Sequence, residues 1–246
     1  MILLGLSMLA SVLLCVHAVR SGQPPYWLFI ILLLQPLGGL VYFVVNVLPG
    51  WLGGSTARRV TQEARDRLDP ERERREAKAA VDDAPTVRNQ MRLAEAAAHL
   101  GRHDEAEALY AAAAQGVHAD DPALIYGRAL ALVELQRPAE ALPLLERLGE
   151  LGDAGRTPQA ALVMARAYQA LGRTAEAEGA YVWAVERMPG LEAMARHAAF
   201  LAEIGRSAKA RELLAEIERR TAKTQAHFRK EARTWRDYAA QRVDAA

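Results

Sequence analysis

Cysteine is nearly absent: Cys15 is the only one in 246 residues, which excludes an intrachain disulfide and any zinc site built from several thiolates. Net charge is nearly absent too, +1 from 31 Lys plus Arg against 30 Asp plus Glu. No global pull toward nucleic acid exists, and any such pull must come from a local patch. Missing as well are the arrangements that carry chemistry: no His-Glu-x-x-His, no glycine-rich phosphate loop and no Cys-containing metal pair. His99 and His103 are four apart, a ligand spacing, but they straddle the turn residue Gly101, so one helix does not present both. The many Glu residues fall on outer helical faces, where solvation explains them. With no acid, base or nucleophile assembled, the chain reads as non-catalytic, needing neither cofactor nor metal.

What is present is unevenly placed. Hydrophobic residues make up 51% of the chain, and the first fifty positions hold a disproportionate part of the Leu, Ile and Val. From Ile2 to Val19 there is no charge, and a helix rising about 1.5 Å per residue over that run nearly crosses a hydrocarbon core of about 30 Å. The run from Tyr26 to Leu48 is longer, flanked by Tyr26, Trp27 and Trp51, whose amphipathic rings favour the headgroup layer. Between them Arg20 to Pro25 reads as a tight turn, because proline has no N–H donor and restricts the residue before it. Residues 1–52 are therefore predicted to be a transmembrane hairpin. A cleaved signal peptide is the rival for the first run, but a basic leading region and a small-x-small site are missing. Within the second run, Gln35, Gly38 and Gly39 suit close helix packing and a hydrogen bond across the hairpin. Arg58, Arg59, Arg65 and Arg67 follow the second span while the loop holds only Arg20, so the positive-inside rule places the C-terminal part in the cytoplasm.

The stretch YWLFIILLLQPLGGLVYFVV resembles the membrane segment that precedes the catalytic domains of cardiolipin synthases of the phospholipase D superfamily, with Trp27, Pro36, Leu37, Gly38 and Tyr42 matching. The likeness spans roughly residues 5 to 50. That family's chemistry belongs to paired His-x-Lys motifs, and none of the six histidines here has Lys two residues later. The resemblance implies an anchor without the enzyme. Residues 53–86 then change abruptly to dense charge of both signs. Opposite charges recur at helical spacing, such as Glu71 with Arg75, so a charged linker, partly helical and broken near Pro70, is predicted.

From residue 87 to 222 one grammar recurs. The turn and second helix read LGRHDEAEALYAAAA, LQRPAEALPLLERL, LGRTAEAEGAYVWAV and IGRSAKARELLAEI, with turn residues Gly101, Gln136, Gly172 and Gly205 spaced by 35, 36 and 33. The small residues paired across each turn are Ala94 and Ala106, Ala129 and Ala141, Ala165 and Ala177, and Ala198 and Ala210. Tyr168, Tyr181, Ala184 and Pro189 complete the third copy. This pattern resembles the tetratricopeptide repeat family, whose unit of about 34 residues is a helix, a turn and a helix. Gln136 replaces the turn glycine in the second copy and Pro143 falls inside its second helix, both weakening that repeat. In residues 223–246, Phe228, Ala232, Trp235 and Ala239 make one apolar stripe, read as a capping helix and tail. The predicted fold is all-α: a two-helix membrane hairpin followed by an α-solenoid of about four repeats and its cap.

The tetratricopeptide resemblance implies a concave face, lined by first helices, that holds a peptide or helix of a partner protein. The aligned inward positions are Arg88, Met91 and Glu95, then Tyr126, Leu130 and Val133, then Leu162, Arg166 and Gln169. They suggest a partly apolar groove with Arg88 and Arg166 as carboxylate contacts. The Lys and Asn set that some members use to clamp a C-terminal carboxylate is missing, so an apolar helix or strand is the expected ligand. Charge is segregated. From Asp82 to Arg156 there are 7 basic and 13 acidic residues, from Gly205 to Arg242 11 and 5. The second region holds a basic patch: Arg219, Arg220, Lys223, Arg229, Lys230, Arg233 and Arg236. The expectation is a scaffold on the cytoplasmic face of a bacterial inner membrane, recruiting a protein partner and touching membrane lipids, with nucleic acid not expected. Three alternatives stay open: an accessory protein of phospholipid synthesis, an envelope assembly factor facing the periplasm, and an RNA or lipid sensor using the basic cap.

Overall fold

The structure, a computed structural model, describes residues 11, 12, 14–18, 20, 26–33, 37–43 and 69–246. The chain divides into two compact units, Met1–Arg72 and Glu73–Ala246. All regular structure among the described residues is helical.

In the first unit, α1 (Tyr26–Leu33) and α2 (Leu37–Tyr42) pack with helical residues between 11 and 20. Ala18, Ile31 and Tyr42 are enclosed by Leu14, Cys15, Trp27, Leu28 and Phe43. The Tyr42 hydroxyl is hydrogen-bonded to His17 Nδ1 at 3.0 Å, and the Trp27 ring meets Tyr42 edge-on at 5.3 Å. A Cβ on Gly39 would lie 3.3 Å from Leu14, so the expected close approach at this glycine is present. The outer surface is aliphatic and aromatic: Phe29 is 71% exposed, Leu33 86% and Leu37 64%. Among the described residues, however, no helix is long and apolar enough to cross a membrane. The expected spans over 2–19 and 26–48 include residues outside the described set. So do Gln35, Pro36, Trp51, Arg58, Arg59, Arg65 and Arg67.

The second unit opens with α3 (Arg72–Asp83), where a charged spacer was expected. It is not free: Ala77 is fully buried, Arg74 donates to Glu105 at 3.1 Å and Glu73 accepts from Arg92 at 2.8 Å. Asn89 donates its amide to the Ala80 and Ala84 carbonyls, tying the end of α3 to the first turn of the next helix. A single alanine inside a charged helix is enough to dock it when its charges find partners on the neighbouring surface.

Four helix pairs come after it: α4 (Val87–His99) with α5 (His103–Ala113), α6 (Pro122–Glu134) with α7 (Pro138–Glu150), α8 (Pro158–Ala170) with α9 (Thr174–Arg187), and α10 (Glu192–Glu203) with α11 (Ser207–Lys223). Three first helices begin on a side-chain cap. Thr86 Oγ1 accepts from the Asn89 amide at 3.2 Å, Asp121 from Ala123 at 2.9 Å and Thr157 from Ala160 at 3.2 Å. Pro122 and Pro158 stand at the first helical position, where no N–H is missed. All four first helices stop on a turn residue with φ between 58° and 76°, at Gly101, Gln136, Gly172 and Gly205. The residue after each donates back to a carbonyl five positions earlier, for example Arg102 to Ala97 at 3.0 Å and Arg206 to Leu201 at 2.8 Å. This is the left-handed stop that glycine allows cheaply.

The eight alanines paired across those turns are all at zero exposure, which lets each pair of helices approach closely. Each helix from α4 on packs on its sequence neighbour, and the first helices touch one another, α4 with α6 and α6 with α8, forming an inner face. Pro143 lies on the exposed side of α7, which continues through it to Glu150. The chain ends in α12 (Arg229–Asp244), packed on both α10 and α11. Ala232 and Ala239 are buried and Trp235 is half-buried, whereas Phe228 is 56% exposed. Phe228, at the N-cap of α12, lines one cavity with Ala232 and Trp235 and so stays on the side of the stripe while largely exposed.

Candidate docking face and basic cap

Of the expected groove residues, Arg88 is exposed and Met91, Tyr126, Leu130, Arg166 and Gln169 are half-buried. Leu162 and Val133 are not groove residues: each is 5% exposed and belongs to the core. A first helix in this array is covered on one side by its own second helix and on another by the next repeat. The buried arc is therefore wider than one apolar stripe, and these two positions fall inside it.

Arg166 is not a free carboxylate contact either. Its Nη1 donates to Glu134 Oε1 at 2.8 Å, bridging α8 to α6. Burial pushes the Glu134 carboxyl up, but the Arg166 hydrogen bond and charge outweigh it and hold the group below the usual carboxylate range. Gln169 is also engaged, accepting from the Tyr181 hydroxyl at 2.6 Å and donating to Glu203. Arg88 has no ion-pair partner among the described residues.

What the inner face offers instead is a cavity of about 410 Å³ between the first two repeats. It is lined by Glu95, His99, His103, Tyr110, Tyr126, Leu130 and Glu134, together with the small residues Gly127 and Ala131. Burial, aided by the Glu95 charge, pushes the Tyr110 phenol up to about 12. Burial and Glu192 raise Tyr126, with Arg166 opposing. Both rings thus stay neutral donors beside two carboxylates. His103 Nδ1 is buried without a hydrogen-bond partner among the described residues. No group of three or more His, Cys, Asp or Glu among the described residues is placed to hold a metal ion.

Sequence reasoning did not single out Glu134, nor Gly127, where an added Cβ would lie 2.4 Å from the Tyr110 ring. Further along, Arg196 pairs with Glu192 at 2.9 Å and lies over the Trp235 and Tyr238 rings at 5.0 and 5.6 Å. Arg242 covers Tyr238 at 3.7 Å. The Arg196 contacts tie the cap to the last repeat, and the Arg242 contact lies within the cap helix itself.

The basic patch is split by its own acids. Arg219 and Arg220 both pair with Glu216, and Arg236 pairs with Asp237. Arg229, Arg233 and Arg236 line one polar cleft of about 590 Å³ with Glu218, Thr221 and Ala222 of α11. Lys223 and Lys230 are exposed nearby.

Neither a family model nor a curated protein matches the chain, so the likeness of the N-terminal segment to cardiolipin synthases gains no support. Among solved structures, the chain is similar to the crystal structure of a tetratricopeptide repeat protein from Parabacteroides merdae. The TM-score is 0.54 with 16% identity, over 96% of this chain and 93% of that one. The likeness is one of fold, and it agrees with the helix–turn–helix period of the repeats.

Proposed function

We propose that the chain is a non-catalytic, membrane-anchored adaptor, held in a bacterial inner membrane by residues 1–52. Its repeat array faces the cytoplasm and takes a segment of a partner protein on the inner face. The observation that carries the anchor is the outward display of Phe29, Leu32, Leu33 and Leu37 around a buried Tyr42 whose hydroxyl is hydrogen-bonded to the His17 ring. Apolar side chains outside, with the buried tyrosine hydroxyl satisfied, is the arrangement that hydrocarbon favours. The excess of arginine after residue 57 over the single Arg20 before it supports the inward orientation. Tethering two modules to one surface raises their effective concentration without a new contact.

The partner segment is read from the cavity between the first two repeats. Glu95, two neutral tyrosines and Leu130 suit a cationic side chain flanked by apolar ones, with Glu134 held by Arg166 beside them. A carboxylate suits them less, because Arg166 is already spent on Glu134.

The test is a C-terminal reporter active only in the cytoplasm, combined with photo-crosslinking from positions 126 and 130 in intact cells. A cytoplasmic signal, with a membrane-dependent crosslink weakened by Glu95→Gln, supports the adaptor. A periplasmic signal overturns the orientation. A crosslink pattern indifferent to Glu95→Gln overturns the assignment of the cavity.

A further inference from the structure

We infer that the C-terminal cap is a second membrane contact, binding an anionic lipid surface through Arg229, Arg233 and Arg236 with Phe228 entering the interface beside them. The three arginines are spaced by four and three, so they form one stripe along α12, and they share the cleft of about 590 Å³ against α11. The wall contributes little that competes. Thr221 donates its hydroxyl to its own helix, at Ile217 O, 2.7 Å. Glu218, though in the same cleft, pairs with none of the three among the described residues. Only Arg236 is bound, to Asp237 at 2.5 and 2.8 Å. From Lys223 to Asp237 there are five basic and two acidic residues.

The second observation is apolar and adjoins the first. Phe228 stands 56% exposed at the start of α12 and lines a cavity of about 400 Å³ with Pro189, Leu191, Glu231, Ala232 and Trp235. An exposed aromatic next to a cationic stripe at one helix end is the chemistry of a headgroup boundary, where anionic charge and acyl carbon lie within a few ångströms. A long polyanion such as RNA fits less well. It would run on toward the acidic repeats, where Asp82 to Arg156 carries six more acids than bases.

The inference uses the proposed N-terminal anchor only to bring the cap near a bilayer, and the experiment separates the two. The full chain is mixed with vesicles of phosphatidylcholine, or of phosphatidylcholine with phosphatidylglycerol, and read by flotation and by hydrogen exchange of residues 224–236. Flotation with the neutral vesicles reports the anchor. Slower exchange at 224–236 with the anionic vesicles, absent with neutral ones, reports the cap. Each Arg→Gln change at 229, 233 or 236 is expected to weaken the protection about fivefold, and raised salt to remove it. Phe228→Ser is expected to weaken it at constant charge. Unchanged exchange in α10 certifies that each variant is folded. Equal exchange in both lipids, or protection that survives the triple arginine variant, overturns the inference. Protection by inorganic phosphate or an RNA oligonucleotide without vesicles overturns it as well. If the chain fails to float with neutral vesicles, the anchor reading falls, and the anionic vesicles still decide the cap.

Discussion

The two units of this chain differ most in what they leave exposed. In the repeats the interior is made of the smallest side chains, eight alanines at zero exposure across four turns, and the charge lies outside in paired arcs such as Arg166 with Glu134 and Arg92 with Glu73. In the N-terminal unit Ala18, Ile31 and Tyr42 are enclosed, the Tyr42 hydroxyl reaches the exposed His17 ring, and leucines and a phenylalanine face out. One arrangement is stabilised by removing apolar surface from water. The other leaves much of its apolar surface exposed, which water disfavours. The same residue type therefore has a different weight in each unit, and substitutions can measure the difference.

The largest expected effect lies in the repeats. Tyr181 is 1% exposed, stacked on His197 and tilted against Phe200, with its hydroxyl donated to Gln169. Tyr181→Ala is expected to cost about 3–5 kcal/mol in urea unfolding, as for other buried aromatics truncated to alanine. Phe29→Ala, at an aromatic of the other unit 71% exposed, is expected to leave the unfolding of the repeats unmoved. A comparable loss from both would erase the comparison.

Next is a change whose cost depends on the solvent. Leu33 is 86% exposed, and in water Leu33→Asp should stay within about 0.5 kcal/mol of neutral. If that surface faces lipid, an aspartate at the middle of the span costs about 2.5–3.5 kcal/mol. It should then release the chain from membranes under an alkaline wash. Val182→Asp, at a half-exposed valine of the repeats, is the control expected to do neither. Retention of the Leu33→Asp chain on the membrane would count against the anchor.

The third effect tests how tightly the alanine interior is closed. A methyl added at Gly127 would sit 2.4 Å from the Tyr110 ring carbons, and Tyr110 is itself buried between α5 and α6. Gly127→Ala is expected to cost about 1–3 kcal/mol by overpacking, whereas Gly179→Ala, with nothing near its added carbon, should be neutral or slightly stabilising.

These cases show which parts of the fold could be read from residues alone. The turn spacing located all four left-handed stops, and the small residues flanking them are the ones fully buried, because a close helix approach leaves room for little else. The docking of α3 was missed, since its one buried alanine is invisible among eight charged residues. The groove was half legible. Periodicity marks the first helices but not which flank the next repeat covers, so Leu162 and Val133 read as groove residues and lie in the core. Arg166 could not be known as paired, because Glu134 is 32 residues away and on another helix.

A smaller effect concerns the buried imidazole. His197 is 8% exposed, lies parallel to Tyr181 at 5.6 Å and has an Nε2 without a partner among the described residues. Burial lowers its pKa, with Lys209 adding to the fall and Glu178 opposing it. The folded state thus binds this proton less readily than the unfolded chain, so stability is complete above the unfolded value of about 6.5 and falls as pH drops through it. His197→Phe should flatten the loss of thermal stability between neutral and mildly acidic pH. An unchanged slope would place the acid sensitivity elsewhere.

The smallest effect is a gain. Gln136 holds φ at 58° with a side chain, where the other three turns use glycine, yet its turn forms the same bond, Arg137 to Leu132 O at 2.9 Å. The conformation is therefore imposed by the repeat rather than chosen by the residue, at a strain of about 1 kcal/mol. Gln136→Gly relieves that strain, although the freer unfolded chain takes part of the gain back. The side chain's own contact, 3.5 Å from the Val133 carbonyl, is at the limit of a hydrogen bond and subtracts little. A net stabilisation of up to about 0.5–1 kcal/mol is expected in urea unfolding, with Gly172→Gln, the reverse change at φ 71°, costing a similar amount. If both substitutions destabilise, the four turns are not equivalent and the second repeat is built on a different stop from its neighbours.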